Sequence, residues 1–220
     1  MEQQISLYRK FRNYISPKQR KRNALLAKFK KVGERFIFDL NSHILSPEHM
    51  EVGDNVFIGE GAHFSAVMKI GNNVMFGPRV LILGGDHFVA CKGRSVRFLR
   101  PKGGENMQEV IIEDEAWIGA GVIILKGVNI GMGGIIGAGS VLRKSIPPYV
   151  VAVGSPCVPV RKVFSDENLY EHLTLLKYPA ETAASIVERR RAALEKLGLL
   201  NLPVIDQTDI YWENLETPKA

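Results

Sequence analysis

Residues 112–142 read Ile-Glu-Asp-Glu-Ala-Trp, Ile-Gly-Ala-Gly-Val-Ile, Ile-Leu-Lys-Gly-Val-Asn, Ile-Gly-Met-Gly-Gly-Ile, Ile-Gly-Ala-Gly-Ser-Val and then Leu142. A large aliphatic residue opens every block: Ile112, Ile118, Ile124, Ile130, Ile136 and Leu142. The same beat sounds earlier at Val52, Ile58, Phe64, Ile70, Phe76 and Ile82. Glycine stands second in seven of the twelve blocks, and Ala, Val, Ser or Gly stands fifth in nine, so the repeat has internal structure. A period of six fits neither the 3.6 of a helix nor the alternation of a long strand.

Such a block predicts a short strand followed by a turn. The first residue and the small fifth residue point into a narrow core. The second position is expected at the corner, where glycine tolerates a positive φ. Three faces close one coil, so the twelve blocks predict four coils, preceded by irregular ones from residues 34–51. At the spacing of hydrogen-bonded strands the four coils stand about 20 Å tall. The period does not fix the handedness. Paired glycines such as Gly131/Gly133 and Gly137/Gly139 imitate a dinucleotide loop, but no helical segment follows them, as that fingerprint requires.

Outside the repeat, composition narrows the possibilities. The chain has 220 residues, 45% apolar and 24% charged, as expected of an ordinary globular protein. Its apolar runs, such as 149–153, are too short to span a bilayer, and residues 1–10 lack the apolar stretch of a secretory signal. Two cysteines, Cys91 and Cys157, make no disulfide framework and sit at no zinc spacing. A reduced, cytoplasmic setting is the expectation. The net charge of +6 is uneven: residues 1–35 carry eleven Lys/Arg against Glu2 and Glu34, which leaves −3 on the remainder. The basicity belongs to an arm, not to the repeat.

The beat stops in one place. After Ile82 the fifth position becomes Asp86, then His87 follows, and residues 88–111 leave the pattern. This 24-residue insertion carries Lys92, Arg94, Arg97, Arg100 and Lys102 against Glu105 and Glu109. Long excursions from a rigid scaffold tend to be functional. An imidazole titrates near neutral pH, so His87 suits a general base that deprotonates a hydroxyl. Read alone, His87 is equally a loop residue capping a coil.

On these residues the chain resembles the hexapeptide-repeat acyltransferases. The likeness runs from about residue 50 to residue 172 and is tightest in four motifs: Gly84-Gly-Asp-His87, Glu113-Asp-Glu-Ala-Trp-Ile-Gly119, Gly137-Ala-Gly-Ser-Val-Leu-Arg-Lys144 and Ile146-Pro-Pro-Tyr-Val-Val-Ala-Val-Gly-Ser-Pro-Cys157. They look like the sugar, galactoside and maltose O-acetyltransferase branch. The resemblance implies a left-handed parallel β-helix assembled as a homotrimer, with the site at an interface. It implies acetyl-CoA as acyl donor, no metal, and direct transfer to a sugar or glycan hydroxyl with His87 catalytic. It also implies main-chain contacts to the cofactor at Ala120 and Ala138, with Lys144 and Arg161 facing its phosphates, as cations would. His63 falls near the family's acceptor-binding position, and Trp117 is the candidate wall of the acceptor or thioester pocket. For each of these residues a structural role remains open: solvated surface for Lys144 and Arg161, packing for Trp117, a bland exposed position for His63.

Rival functions are weighed on the same residues. A zinc hydrase needs three imidazoles, whereas His63 and His87 are the two candidates, with His43 and His49 expected on surface turns and His172 in a helix. Cys91 as a nucleophile has no base nearby except His87. Acetylation of an antibiotic or an amino sugar is the enzymatic runner-up. A non-catalytic scaffold is the alternative of another class.

Both flanks read as helical. In residues 1–35, Leu7/Tyr8, Phe11 and Ile15, then Leu25, Leu26, Phe29 and Val32, recur at helical spacing among basic residues. The arm admits packing on the prism or association with an anionic membrane surface, and it lacks a nucleic-acid motif. The β-helix domain is placed at 36–160. Within 161–220, Ser165 predicts the cap of a helix over 166–176 with Leu169, Leu173 and Leu176 on one face. A second helix runs from Pro179 to about Leu197 before Gly198, and Tyr211 and Trp212 are candidate anchors of the tail.

Overall fold

The computed structural model describes residues 16–99 and 107–205. Within them the repeat forms a parallel β-solenoid whose strands stack into three sheets. Face A contains β1 (Lys31–Val32), β4 (Met50–Val52), β7 (Met68–Ile70), β10 (Val110–Ile112) and β13 (Asn129–Ile130). Face B contains β2 (Ile37–Phe38), β5 (Phe57–Ile58), β8 (Met75–Phe76), β11 (Trp117–Ile118), β14 (Ile135–Ile136) and β16 (Val150–Val153). Face C contains β3 (His43–Ile44), β6 (His63–Ser65), β9 (Leu81–Leu83), β12 (Ile123–Leu125) and β15 (Val141–Leu142). A sixth, partial coil adds β16 and a bridge from Ile130 to Ile146.

The first residue of every block is buried, from Phe76, Ile82, Ile118, Ile124, Ile130 and Leu142 at 0% to Ile70 at 5% exposure. Small fifth residues line the same core: Ala62, Val80, Val122 and Ser140 are fully buried. In-register stacking explains the strict choice, because each inward residue lies on its counterpart one coil away. Ile118, for example, sits between Phe76 and Ile136.

Glycine at the second position has a different cause from the one expected. None of these glycines has a positive φ. Left-handed residues stand fourth in nine of the twelve blocks: Asn55, Gly61, Asn73, Arg79, Glu115, Gly121, Gly127, Gly133 and Gly139. The second position is instead a site of close approach between coils. A Cβ on Gly77 would stand 2.6 Å from the Ala120 nitrogen, and one on Gly119 2.6 Å from the Ala138 nitrogen. Beside this column runs a side-chain ladder that the periodicity did not disclose. Asp54, Asn72 and Asp114 accept hydrogen bonds from the backbone N–H of Glu34, Asp54 and Asn72 at 2.7, 2.8 and 2.8 Å, which ties successive coils at one corner.

The coils begin before residue 36. Strand β1 lies within the segment that charge assigned to the arm, and Val32 pairs with Val52 instead of extending a helix. The turn from Val32 to Val52 is slightly longer than the next one, from Val52 to Ile70, and it accommodates a 3-10 turn at Pro47–His49. Helix α1 (Pro17–Leu26), capped by Ser16, precedes the first coil. Its Leu25 and Leu26, with Phe29, pack against the core cluster, while Arg22 donates to the Phe36 carbonyl and lies 4.7 Å above the Phe38 ring. Packing on the prism is therefore what residues 17–29 do. The segment 5–15, with Leu7, Tyr8, Phe11 and Ile15, lies outside the described residues, as do Tyr211 and Trp212.

At the other end, β17 (Val158–Lys162) turns back antiparallel to β16. Helices α2 (Asp166–Leu175) and α3 (Ala180–Lys196) follow as a hairpin. The Ser165 hydroxyl accepts from the Asn168 N–H at 3.1 Å, and Gly198 ends the run with φ +69. Leu169 and Leu173 are buried against Met132, Tyr149, Ala183 and Ile186, but Leu176 is 46% exposed and does not continue that face.

Fully buried Arg190 crosses the hairpin to Asp166 and to the Phe164 carbonyl, the latter at 2.9 Å. Partial burial pushes the Asp166 carboxyl up, but the Arg190 hydrogen bond and charge, with Arg191 and Lys162, outweigh this and hold it below its usual range. A lowered carboxylate stabilises the fold above its ordinary pKa and loses that contribution as pH falls through its folded value. Thermal melts on acidification towards about pH 3 should therefore fall more steeply for the wild type than for Asp166→Asn. The variant should start lower at neutral pH, since it leaves the buried guanidinium without its carboxylate. Parallel acid slopes would remove Asp166 from the account.

Candidate active site

A skip in the strand ladder locates the insertion. On face A, Val52 pairs with Ile70 and Ile112 with Ile130, each one regular coil apart in sequence. Between them Ile70 pairs directly with Ile112, so everything extra in that coil is extruded without disturbing the register. The extruded length agrees with the broken beat, but the bounds shift. Strand β10 begins at Val110 and Gln108 already donates to the Gly84 carbonyl at 3.1 Å, so the excursion leaves after Gly84 and is closed by Gln108. Gly84 is there because a Cβ would meet the Ala66 Cα at 2.5 Å. Beyond it, Asp86 pairs with Lys126 of the next coil at 2.9 Å, which anchors the base of the loop at the corner between faces C and A. His87 follows, exposed to solvent. Phe88 donates to the Leu99 carbonyl at 3.2 Å, folding the loop on itself, while Val89 and Phe98 remain largely exposed.

The other candidates lie on different faces. His63 is half-buried on the outer side of β6, in register with Leu81 on one side and His43 on the other, the imidazole centroids 6.1 Å apart. His43 is thus a strand residue of the first coil and not a turn residue; His49 sits in the 3-10 turn and His172 in α2. Trp117 projects outward from face B. It continues an exposed apolar row of Ile37 (55%), Phe57 (45%), Met75 (46%) and Trp117 (50%) along paired strands. Arg161 is exposed and paired with Val151 on the same sheet, three strands beyond Trp117. Ala120 and Ala138 stack one coil apart at the corner between faces B and C, where the Gly139 N–H donates to the Ala120 carbonyl at 2.8 Å. Gly121 and Gly139 beside them leave open space outside. Lys144 lies exposed on the turn after β15. One chain therefore brings Trp117, Ala120, Ala138 and Arg161 to face B and its edge, and places His87, His63 and Lys144 on face C and its far corner.

What holds these faces was missed in the sequence. Glu113, Asp114 and Glu115, quoted above only as part of a motif, are anchors. Glu113 accepts from Arg189 of α3 at 2.6 Å, and Glu115 from the Tyr149 and Tyr178 hydroxyls at 2.5 and 3.3 Å. His172 lies 3.8 Å from Glu115 and packs on the Tyr149 and Phe164 rings. Burial and the Glu115 charge push the Tyr178 hydroxyl up to about 12 and Tyr149 further, so both stay neutral donors. Trp117 stands two residues past this clamp. Among the described residues, no cluster of three or more His, Cys, Asp or Glu is arranged to hold a metal.

Comparison with known proteins decides the lineage. The family model of the bacterial transferase hexapeptide (six repeats) matches residues 109–144. The galactoside O-acetyltransferase of Lactococcus lactis is 37% identical over 182 residues, 78% of this chain and 82% of the relative. The chain belongs to the hexapeptide-repeat acetyltransferases. Among solved structures, a maltose O-acetyltransferase from Clostridium difficile 630 superposes with a TM-score of 0.59 at 35% identity, covering 74% of this chain and 86% of that one. A galactoside acetyltransferase in complex with coenzyme A gives 0.56 at 25% identity, covering 71% and 76%. In this hexapeptide-repeat acetyltransferase the fold is accordingly a parallel β-solenoid of about six turns followed by C-terminal helices.

Proposed function

We propose that the protein transfers an acetyl group from acetyl-CoA to a hydroxyl of a sugar or glycan precursor, with His87 as the general base. The observation that carries the reading is Gly84-Gly-Asp-His87 at the corner of the one coil in which the ladder skips from Ile70 to Ile112. Solvated imidazole at the foot of a loop, on a scaffold fixed coil by coil, is suited to meet a substrate hydroxyl. In the ternary complex the hydroxyl oxygen attacks the thioester carbonyl as its proton passes to the imidazole. The tetrahedral adduct collapses with cleavage of the C–S bond, and the imidazolium proton goes to the departing thiolate. His63, on the neighbouring coil of face C, contacts the acceptor, and Trp117 walls the pocket.

For the donor, the small residues Ala120 and Ala138 leave a groove for the pantetheine arm, and Lys144 and Arg161 face the phosphates. Neither cation makes an ion pair among the described residues, so both are available to an anion. Calorimetry with acetyl-CoA tests this half. Saturable binding should weaken roughly ten- to hundredfold in Lys144→Ala/Arg161→Ala, the worth of one or two charged hydrogen bonds. An unchanged affinity would move the phosphates elsewhere, and no binding at millimolar cofactor would remove the acetyl-CoA reading itself.

The homotrimer explains how residues on faces B and C serve one reaction. The exposed row Ile37, Phe57, Met75 and Trp117 is the apolar surface that a second copy would cover, which would bring Trp117 of one chain to the histidine corner of another. The arm adds an anionic membrane surface on the cytoplasmic side, since Lys18, Arg20, Lys21 and Lys28 all face solvent around α1. Sedimentation of the full chain reads both ideas: a mass of three chains is expected, with pelleting on phosphatidylglycerol vesicles and not on phosphatidylcholine. A mass near one chain removes the composite site, and equal behaviour with both lipids removes the membrane role.

A further inference from the structure

The turn after β12 meets the loop that carries His87 at its foot. Leu125 lies in register with Leu83, so Lys126 follows β12 as Gly84 follows β9. Gly84 is where the chain leaves the solenoid, and two hydrogen bonds clamp that point. The Gln108 N–H donates to the Gly84 carbonyl at 3.1 Å, and the Gly127 N–H donates to the Gln108 carbonyl at 3.4 Å. Departing chain, returning chain and next coil are thereby tied in series.

Beyond Gly84 the backbone has less to hold it. Gly85 and His87 make no backbone hydrogen bond among the described residues, and Phe88 bonds within the loop, to the Leu99 carbonyl. From this stretch the Asp86 side chain reaches back to the solenoid, its carboxylate 2.9 Å from the Lys126 ammonium. The two partners are unequal: the Lys126 side chain is 28% exposed and that of Asp86 69%. With its stem laid against the coil, the lysine is the fixed end of the pair. The carboxylate that it holds belongs to the residue before His87.

A pair this open adds little to global stability. Its effect is local, on the backbone that aims the imidazole. Proton transfer is sensitive to such aim, since a misplacement of about 1 Å costs on the order of 10²-fold in rate. We infer that Lys126 is a positioning residue for the transfer reaction, holding His87 in place through Asp86. The inference rests on the reading of His87 as the base and makes that base depend on a cation of the next coil.

The test is kcat and KM for acetyl transfer by the full chain, from acetyl-CoA to a panel of galactosides and maltose. Lys126→Ala should lower kcat roughly ten- to hundredfold. Its KM for acetyl-CoA should stay within about threefold, and its melting midpoint within about 3 °C. Lys126→Arg keeps a cation on a stem of similar reach and should recover most of the rate. Asp86→Asn should also be slow, and Lys126→Ala/Asp86→Asn no slower than Asp86→Asn alone, because both substitutions break one pair. Wild-type kcat in Lys126→Ala, a loss that arginine does not recover, a melting midpoint that falls with the rate, or losses that multiply in the double variant overturns the positioning role. So does a further loss when Lys126→Ala is added to a slow His87→Ala, an outcome that leaves His87 as the base. Transfer at the wild-type rate in His87→Ala overturns the base reading, no transfer by the wild type overturns the transferase reading, and the positioning role falls with either.

Discussion

Alanine in place of His87 should lower the rate of acetyl transfer by about 10²–10⁴-fold, the usual worth of a positioned general base. The loss should fall on kcat, because a sugar hydroxyl still binds but no longer loses its proton as it attacks. Acetyl-CoA affinity should stay within about threefold by calorimetry, since the main-chain contacts and cations proposed for that binding lie on other residues. The substitution is well suited to the question. His87 is exposed and lies past the last strand before the loop, so its removal creates no cavity in the core. Transfer at the wild-type rate would exclude His87 as the base and turn attention to His63. An absence of any transfer or hydrolysis signal in both proteins would favour the non-catalytic scaffold.

Gly119→Ala should cost about 1–3 kcal/mol, as overpacking does in a core that cannot yield. The new Cβ would lie 2.6 Å from the Ala138 nitrogen, 2.7 Å from the Ile136 carbonyl oxygen and 2.9 Å from the Ala138 Cα, all backbone of the next coil. That backbone is held in place by its own ladder hydrogen bonds, including Gly119 N–H to Ile136 carbonyl at 2.8 Å. For a chain of this size each kcal/mol moves the midpoint by roughly 2–4 °C. Gly121→Ala, two residues on, has open space around the new methyl but a φ of +66, and should cost only about 1 kcal/mol. Melting curves that rank the two the other way would return glycine's role in the repeat to backbone freedom and away from coil contact.

That contrast marks where sequence reading succeeded and where it stopped. The first position of each block was legible, because burial of Ile82 or Ile124 is a one-residue property that repeats at a fixed interval. The length of the insertion was legible for the same reason: a beat lost at Ile82 and resumed at Ile112 counts the extruded residues. Its bounds were not, since Val110 and Ile111 belong to a strand that no local pattern marks. The left-handed conformation moved from the second position to the fourth because Asn55, Arg79 and Glu115 adopt it without being glycine. Contacts between coils carry no local signal either. Tyr149 to Glu115 and Arg189 to Glu113 span 34 and 76 residues. Of the proposed site, His87 stands out in the sequence by its place at the break, and the proposed donor residues only through likeness to a family. The separation of Trp117 from His87 follows from counting faces, and the proposed trimer is what would close it.

The ends of the solenoid bear on how such a protein stays finite. A stack of parallel strands has an unpaired edge at each end, and every such edge can template another copy. Helix α1 lies over the core at the first end, with Leu25, Leu26 and Phe29 packed where a further coil would otherwise seat. At the last end β17 runs antiparallel to β16, so an incoming coil meets a strand of the wrong polarity. Both caps act as stops on linear growth. A chain that lost either would be expected to join end to end into filaments, so the segments that contribute least to the chemistry are those that keep the enzyme a discrete particle.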